Sequence, residues 1–289
     1  MKRPNELAKE EASMAVLVEL TSAFEGIASM RIAQIKNQVL QSTKFFDELW
    51  NIYRQLRVDT LFDFGREQNT AQEVVDKELF IIITAEGGFS GDIDQKLLKM
   101  MLKRYTPEGN DIIVIGHHGA IQLAQRGISY KKYFKLPTRD QNINVTPITR
   151  EVQQYKKTTL FYQEYISLMA QQVKEIDLSV AVRQKGLSSA DNSTDIISEK
   201  NYIFEPSAFV VAAHLERSMM QIAISQLILE SKLAQYASRF RAMSSSHQRA
   251  DEEKSSLRIQ FNRSKRALKD ERLKEIVNGL KKVRLGVGS

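Results

Sequence analysis

A glycine-rich turn follows a strongly apolar run in the stretch LFIIITAEGGFSGDIDQ, residues 79–95. Backbone amides at a helix start attract anions, so this order of strand, glycines and helix is typical of phosphate-binding loops. The nucleotide motif G-x-x-x-x-G-K-[ST] is absent, however, because Gly91 is followed by Asp92 and Ile93. The carboxylates of Asp92 and Asp94 would also repel a phosphate. The turn is therefore predicted to be structural, with glycines at unusual φ angles and Asp92 favouring the helix start.

The other reactive residue types do not form a catalytic or metal-binding pattern. The chain has no cysteine, which excludes disulfides, thiolate nucleophiles and thiolate metal ligands. His117 and His118 are adjacent at a predicted strand end, so their side chains point apart, while His214 and His247 are distant in sequence. No G-x-S-x-G motif is present. The residues thus predict no catalytic group, no metal and no cofactor in this chain.

The net charge of +7 is concentrated at the C-terminal end. Residues 263–284 contain nine basic and three acidic residues, so this segment carries nearly all of the excess. A basic end on a nearly neutral body predicts one localised acidic partner, although a solvated helix face would show the same pattern. Nucleic acid is not favoured as that partner, because Phe261 is the only aromatic residue nearby and provides no stacking platform.

The composition, with 42% hydrophobic and 27% charged residues, is that of a soluble globular protein of one or two domains. We expect no apolar window to approach the roughly 20 residues that a membrane span needs. The N-terminal stretch MKRPNELAKEEAS lacks the apolar region of a signal peptide. These features, with the lack of cysteine, favour the cytosol.

A long helix is predicted at each end of the chain. No glycine or proline interrupts the sequence between Pro206 and Gly279, and Ser207 can cap the helix start. Apolar residues recur there at coiled-coil spacing, and they recur again near the N-terminus. The C-terminal seam comprises Leu215, Met219, Ile222, Leu229, Leu233, Tyr236, Phe240, Met243, Leu257, Phe261 and Leu268, with Gln226, His247, Lys254 and Ser264 as polar members. The N-terminal seam comprises Leu17, Leu20, Phe24, Ile27, Ile35, Val39, Phe46, Leu49, Tyr53 and Leu56.

These two helices are predicted to pair as an antiparallel coiled coil. At 1.5 Å per residue their lengths would be about 110 Å and about 70 Å. The shorter helix would leave part of the longer one unpaired. An exposed apolar seam of that length requires a cover from another protein.

The middle of the chain alternates strand and helix patterns, which predicts a small α/β domain with a largely parallel sheet. Fold and boundaries are therefore predicted as a terminal coiled-coil helix at 1–60, an α/β domain at 61–205, and a second coiled-coil helix at 206–289. A polar loop is expected at 186–200. The predicted strands are Glu78–Thr84, Asp111–Gly116 and Ile176–Gln184, and the predicted helices are Asp94–Tyr105, His118–Gln125 and Thr149–Val173.

This layout and several motifs resemble the gamma subunit of F-type ATP synthases, over nearly the whole chain. The most specific match is FNRSKRALKDERLKEIVNG, residues 261–279, to the family's Y-N-K-A-R-Q-A-x-I-T-x-E-[IL]-x-E-I-V-x-G. RFRAMSSSHQRAD is similar to R-M-x-A-M-x-x-A-T-x-N, and TAEGGFSGDID, residues 84–94, is similar to T-S-D-R-G-L-C-G-G-L-N. Residues 20–29 resemble the family's first helix motif, with Glu19 and Ser22 replacing its lysines.

The resemblance implies a central rotor shaft that turns inside a ring of alpha and beta subunits, where the nucleotide chemistry takes place. It implies that the α/β domain is a foot beside the ring of membrane-embedded c subunits and the epsilon subunit, and that the shaft couples ion transport to ATP synthesis or hydrolysis. Contacts with the alpha–beta ring are expected from Phe24, Asn262, Arg263, Lys265 and Arg266. Contacts towards the c-ring and epsilon are expected from Glu86, Gly88, Phe89, Gly91 and Asp92.

The implied location is peripheral to the membrane, on the cytoplasmic face if the source is bacterial. Without the resemblance, the residues leave two other classes open. One is a cytoskeletal or scaffolding coiled-coil protein with an α/β head, and the other is an enzyme domain with helical dimerisation arms.

Overall fold

The computed structural model describes residues 3–55, 75–138, 140, 143–178, 205 and 208–286. Its helices are α1 (Pro4–Gln55), α2 (Ile93–Leu102), α3 (His117–Ala124), α4 (Thr146–Val152) and α5 (Ala208–Gly286). Its strands are β1 (Val75–Ile83), β2 (Asn110–Ile115), β3 (Lys132–Phe134), β4 (Tyr155–Tyr165) and β5 (Gln171–Asp177).

The five strands form one sheet in the order β3-β2-β1-β4-β5. The pairs β3–β2, β2–β1 and β1–β4 are parallel, and β5 is antiparallel to β4. The largely parallel α/β sheet predicted from the sequence is thus confirmed. The central strand β1 reads as a continuous apolar run because both faces of the sheet are covered.

Each face of the sheet packs against different helices. Alternate residues of β1, such as Leu79 and Ile81, join a core with α4 and with α5, to which Ile224 and Ile228 contribute. The intervening residues, such as Phe80, join a second core with α2 and α3. The two cores arise because side chains of a strand alternate between its two faces. Part of α5 belongs to the first of these cores.

The described chain divides into two compact units, one containing Ala28–Phe240 and the other containing Met1–Ile27 with Arg241–Ser289. The helices α1 and α5 contribute to both units. The predicted boundaries at 60/61 and 205/206 fall where the structure describes only Glu205, and the predicted polar loop 186–200 and the cap at Ser207 lie outside the described residues.

The two long helices run antiparallel where they meet. In the larger unit Phe46 packs on Met219 and Ala223, and Ile35 packs on Leu229 and Leu233. In the other unit the His247 imidazole Nδ1 lies 3.2 Å from the Val18 carbonyl oxygen and 3.5 Å from Thr21 Oγ1. Numbers fall along α1 as they rise along α5, so the predicted coiled coil is confirmed.

The register of α1 differs from the prediction in its first half. Leu17, Leu20, Phe24 and Ile27 were expected in the seam, but their exposed fractions are 44%, 48%, 38% and 48%. The partly buried side chains there are instead Val18, Thr21 and Glu25, one position further along. From Ile35 to Leu49 the predicted and observed seams coincide, whereas the Tyr53 side chain and Leu56 lie outside what the structure describes. Between residues 17 and 27, Val18, Thr21 and Glu25 thus occupy the less exposed side of α1, while Leu17, Leu20, Phe24 and Ile27 remain on the open side.

Two predicted elements after residue 145 were wrong in type or extent. The helix predicted over Thr149–Val173 is a short helix, α4, followed by the strand β4. Residues 158–162 of β4 are β-branched, aromatic or leucine and are almost fully buried in the sheet, so tertiary packing favours a strand. The strand predicted at Ile176–Gln184 is β5, which begins at Gln171, and residues 179–184 lie outside the described part of the chain.

The expectation that no apolar window would reach membrane-spanning length was also wrong. Within the described residues, one helix, Pro4–Leu49, meets the criterion by length and composition, with a mean hydropathy of 1.2 and 6% of the window buried. Its most apolar stretch still carries the carboxylates of Glu19 and Glu25. A coiled-coil helix with an apolar open side meets the same criterion, so the finding reflects the exposed leucines and Phe24 described above.

Candidate functional site

The foot turn, residues 86–92 between β1 and α2, is held against α5 by hydrogen bonds. Arg239 Nε donates to the Gly88 carbonyl oxygen at 3.2 Å, and Arg239 Nη2 donates to the Gly87 carbonyl oxygen at 3.4 Å. Ser238 Oγ donates to the Ser90 carbonyl oxygen at 2.7 Å. Ser238 and Ser90 are both buried. The turn therefore presents carbonyl oxygens to a cation and a hydroxyl, which is the reverse of an anion-binding loop.

The backbone of the foot turn includes two left-handed positions, each with a φ of 66°. One is Gly91, as expected for a glycine, and the other is Phe89, whose side chain is 64% exposed. A bulky residue rarely adopts this conformation, so the anchoring on α5 must hold it in place. Asp92 precedes α2 without a side-chain capping bond, and its carboxylate pairs with Lys96 at 2.8 Å.

Glu86 connects the ends of three strands. Its carboxylate accepts backbone N–H bonds from His117 and Leu136, both at 3.2 Å, and a bond from the Tyr133 hydroxyl at 3.4 Å. These partners follow β2 and β3 or lie within β3. Glu86 therefore stabilises the carboxyl edge of the sheet, next to the foot turn.

Asp94 lies at the centre of a buried polar cluster, with a residue exposure of 2%. One carboxylate oxygen accepts bonds from the Ala85 backbone N–H at 3.2 Å and from His118 Nδ1 at 2.7 Å. The other accepts a bond from Gln163 Nε2 at 2.7 Å. The bond to Asp94 raises the pKa of His118 above its ordinary value of 6.5, against the opposing effect of burial.

The placement of His118 depends on a close approach between the ends of β1 and β2. Gly116 has a φ of 100°, and a Cβ there would lie 2.1 Å from the Thr84 carbonyl oxygen. The Thr84 hydroxyl accepts the Gly119 N–H at 2.9 Å and lies 3.1 Å from the Ile115 carbonyl oxygen. Only glycine fits at position 116, so the turn that begins α3 is fixed beside β1.

The expected ring-contact residues lie in the smaller unit. Asn262, Arg263, Lys265 and Arg266 are on α5 and all are exposed, with Lys265 Nζ 5.7 Å from the ring centroid of Phe261. Phe24 is on the open side of α1. The expected foot residues, Glu86, Gly88, Phe89, Gly91 and Asp92, lie in the larger unit. Asn262, Arg263, Lys265 and Arg266 thus lie on adjacent turns of α5, and the foot residues lie in one turn. Phe24 is apart from the first group, because the neighbouring Val18 and Thr21 lie beside His247, 15 positions before Asn262.

Sequence reasoning missed the cluster around Asp94 and its continuation on α5. Its signal was the recurrence of polar residues at Ser231, Gln235 and Ser238, three and four positions apart, inside an otherwise apolar stretch of helix. The heptad seam lies on the opposite face of the same helix, so the coiled-coil pattern did not predict this polar face.

The fold and these sites define a class of protein in which an antiparallel helix pair carries a domain with a largely parallel sheet, packed on one of the two helices. The ATP synthase family model matches residues 5–283, so the chain belongs to the ATP synthase family. Among curated relatives, the ATP synthase gamma chain of Chlorobium phaeobacteroides is 25% identical, covering 92% of this chain and 94% of the relative. That of Mycoplasmoides gallisepticum is 23% identical, covering 96% and 98%.

Solved structures show the same fold. The rotor of the Euglena gracilis mitochondrial ATP synthase aligns with a TM-score of 0.59 at 11% identity, covering 91% of this chain and 99% of that chain. The central stalk and c-ring structure of the Tetrahymena thermophila mitochondrial enzyme gives a TM-score of 0.54 at 16% identity, covering 78% and 98%.

Family and fold together support the rotor-shaft role predicted from the sequence. The chain is a central-stalk subunit of a membrane-associated ATP synthase, peripheral to the membrane. The family match and the fold do not support the alternative of a scaffold or cytoskeletal protein.

Proposed function

We propose that the exposed end of α5 transmits torque to a surrounding ring of alpha and beta subunits. Arg263, Lys265 and Arg266 make the charged contacts, with Asn262 beside them and Phe24 on α1 as an apolar contact. Acidic loops on the ring would attract this basic segment, and rotation would favour different conformations of successive beta subunits through differential contacts.

The observation that carries this proposal is the exposure of α5 beyond Ser264. Every side chain described from 265 to 280 is exposed, whereas Leu257 and Ser264 are buried within the smaller unit. Leu273, Ile276 and Leu280 are each at least 59% exposed on this segment. Apolar side chains left open beside cations suit a surface that is covered on assembly.

We propose in addition that the foot turn faces the c-ring and the epsilon subunit. The support is that Glu86, Gly88, Gly91 and Asp92 belong to a turn fixed on α5, while the Phe89 ring is 64% exposed at its tip. A rigidly held apolar tip suits a permanent contact with another subunit. The named bacterial relatives favour the cytoplasmic face of a bacterial cell membrane as the location, and nucleic acid is not among the expected partners.

The torque proposal is tested by replacing Arg263, Lys265 and Arg266 together with alanine in the reconstituted complex. Single-molecule rotation under load and ATP turnover are measured. We expect lower torque and slower turnover at full assembly, because the variant loses the charged contacts while the buried seam residues are retained.

The matched control removes three cations from the other unit, with Lys99, Lys103 and Arg126 replaced by alanine. These side chains are also exposed, so the change in net charge is the same. Torque equal to that of the wild type in the α5 variant would refute the assignment, as would equal losses in both variants.

A further inference from the structure

We propose that torque passes between the α/β domain, called the head below, and the shaft through five polar residues of α5. These residues are Ser231, Lys232, Gln235, Ser238 and Arg239. We call these residues the coupling stripe. They are positioning residues, since they fix the azimuth of α5 relative to the head. The proposal rests on the rotor-shaft function and adds the place where the head grips the helix.

Four of the five polar residues of the coupling stripe are buried, and Arg239 is half-buried. Ser231 is 0% exposed, Lys232 3%, Gln235 4% and Ser238 1%. The spacing of three, four and seven positions puts all five residues on one side of the helix. The apolar seam is made by other residues of the same turns, Leu229 and Leu233, which pack against Ile35 of α1. This part of α5 therefore has one face for the partner helix and another for the head.

Two residues of the stripe, Ser231 and Gln235, are bonded to the core of the head through Gln163 of β4, which is 0% exposed. The Ser231 hydroxyl donates to Gln163 Oε1, and Gln235 Nε2 donates to the same oxygen at 3.3 Å. Gln163 Nε2 in turn donates to the buried Asp94 carboxylate at 2.7 Å. An unbroken set of hydrogen bonds thus runs from α5 through β4 to α2.

One end of the stripe is an ion pair with the loop before α4. Lys232 Nζ donates to the Asp140 carboxylate and, at 2.7 Å, to the Pro137 carbonyl oxygen. Arg31 of α1 lies 3.9 Å from the other oxygen of Asp140. The same loop therefore contacts both long helices. At the other end of the stripe, Ser238 and Arg239 hold the carbonyl oxygens of the foot turn, as described above.

Directional bonds of this kind resist rotation of the helix in a way that apolar packing does not. Turning α5 about its axis by one residue position would break the bonds at Gln163, at Asp140 and at the foot turn together. Buried donors and acceptors would then be left without partners, which is strongly unfavourable. Buried ion pairs add little to stability, and their best-attested role is to select one register. A shaft under torque requires that kind of selection.

The test compares two activities of the complete complex in sealed vesicles. Lys232→Met and Gln235→Leu are combined, and ATP hydrolysis and the ATP-driven membrane potential, read with a voltage-sensitive dye, are measured on the same preparation. We expect hydrolysis near the wild-type rate and a several-fold lower potential per ATP, because α5 still turns in the ring but slips against the head. Lys99→Met, on the exposed side of α2, is the control and should change neither activity.

A covalent link between α5 and the foot turn distinguishes a coupling role of the stripe from a merely structural one. The chain has no cysteine, so Ser90→Cys and Ser238→Cys added to the slipping variant give two unique thiols. Oxidation that joins them as a disulfide should restore the potential without changing hydrolysis, and the same variant kept reduced should not recover.

A normal potential per ATP in the slipping variant would overturn the proposal, and so would a loss that the cross-link fails to repair. If the double variant does not assemble, the isosteric Gln235→Glu is measured in the same way. This substitution places a carboxylate against Gln163 Oε1, and wild-type coupling in this variant would also overturn the proposal. Failure of the rotor function itself would look different: the wild-type potential would then persist when this chain is omitted.

Discussion

A single buried carboxylate, that of Asp94, joins four segments of the head. It accepts hydrogen bonds from the end of β1, from α3 through His118 and from β4 through Gln163. A buried carboxylate is tolerated only when its lone pairs are satisfied, and a protonated partner improves the balance further. His118 is thus the group through which pH acts on this cluster.

We expect His118→Gln to destabilise the chain more at low pH than at high pH. The pKa of His118 is raised in the folded state, so its charge contributes stability that is fully present below the ordinary value of 6.5 and is lost as the pH rises through the folded pKa. Thermal unfolding of wild type and variant, compared below about pH 6 and near pH 9, measures this difference.

His117→Gln is the matched control, because His117 is the exposed neighbour on the same helix. Its effect should not vary over this pH range in the same way. A His118→Gln penalty that is constant with pH, or larger at high pH, would contradict the assignment of a charged His118–Asp94 pair.

The two long helices show that a heptad pattern does not by itself define which residues are buried. Ile35 is fully buried between Leu229 and Leu233, whereas Leu20, a residue of the same predicted seam, is 48% exposed. We therefore expect Ile35→Ala to lower the unfolding free energy by about 2–5 kcal/mol. Leu20→Ala should cost less than about 0.5 kcal/mol in the isolated chain.

Urea denaturation of the isolated chain measures both values. The Leu20 variant should show its defect only in the assembled complex, if the open side of α1 is covered there. Equal destabilisation of the isolated chain by the two substitutions would show that Leu20 is buried in solution.

Sequence patterns predicted those elements in which local and tertiary preferences agree. β1, β2, α2, α3 and both long helices were predicted at nearly the right positions, since their apolar periodicity matches their burial. The pattern failed at β4, where residues such as Thr158 and Phe161 become a strand because of the neighbouring β1. It also failed in the first half of α1, where the choice between Leu20 and Thr21 for the seam depends on which residues of α5 lie opposite.

The candidate site could be predicted only in outline. Cations at Arg263, Lys265 and Arg266 and the turn at Gly88 are visible in the sequence, because charge and glycine are local properties. The coupling stripe was not predicted, since its partners at Gln163, Asp140 and Ser90 are between 68 and 148 positions distant along the chain. Contacts of that separation are created by the fold.

For the molecule as a whole, the position of its charge determines how assembly responds to salt. Nearly all of the net charge of +7 lies in residues 263–284. Exposed charges are screened beyond a Debye length of about 10 Å at 0.1 M salt. We therefore expect association with isolated ring subunits to slow as the ionic strength rises, as measured by stopped-flow fluorescence.

The dependence on salt should become shallower when Arg263, Lys265 and Arg266 are alanine, and it should remain steep in the variant that lacks Lys99, Lys103 and Arg126. Identical salt slopes for the two variants would show that long-range attraction is not directed by the C-terminal segment.

The end of α5 beyond Ser264 has a thermodynamic consequence for assembly. A helix in water is marginally stable, because the backbone hydrogen bond gained by each added residue is nearly balanced by the loss of chain entropy, so most helix stability in proteins comes from side-chain packing. Residues 265–280 are all exposed in the part of the chain that the structure describes, so they lack such packing there. We therefore expect these turns to be the least stable part of α5 in the free chain and to be stabilised on assembly, so that the affinity measured for the shaft is smaller than its contact area alone would give.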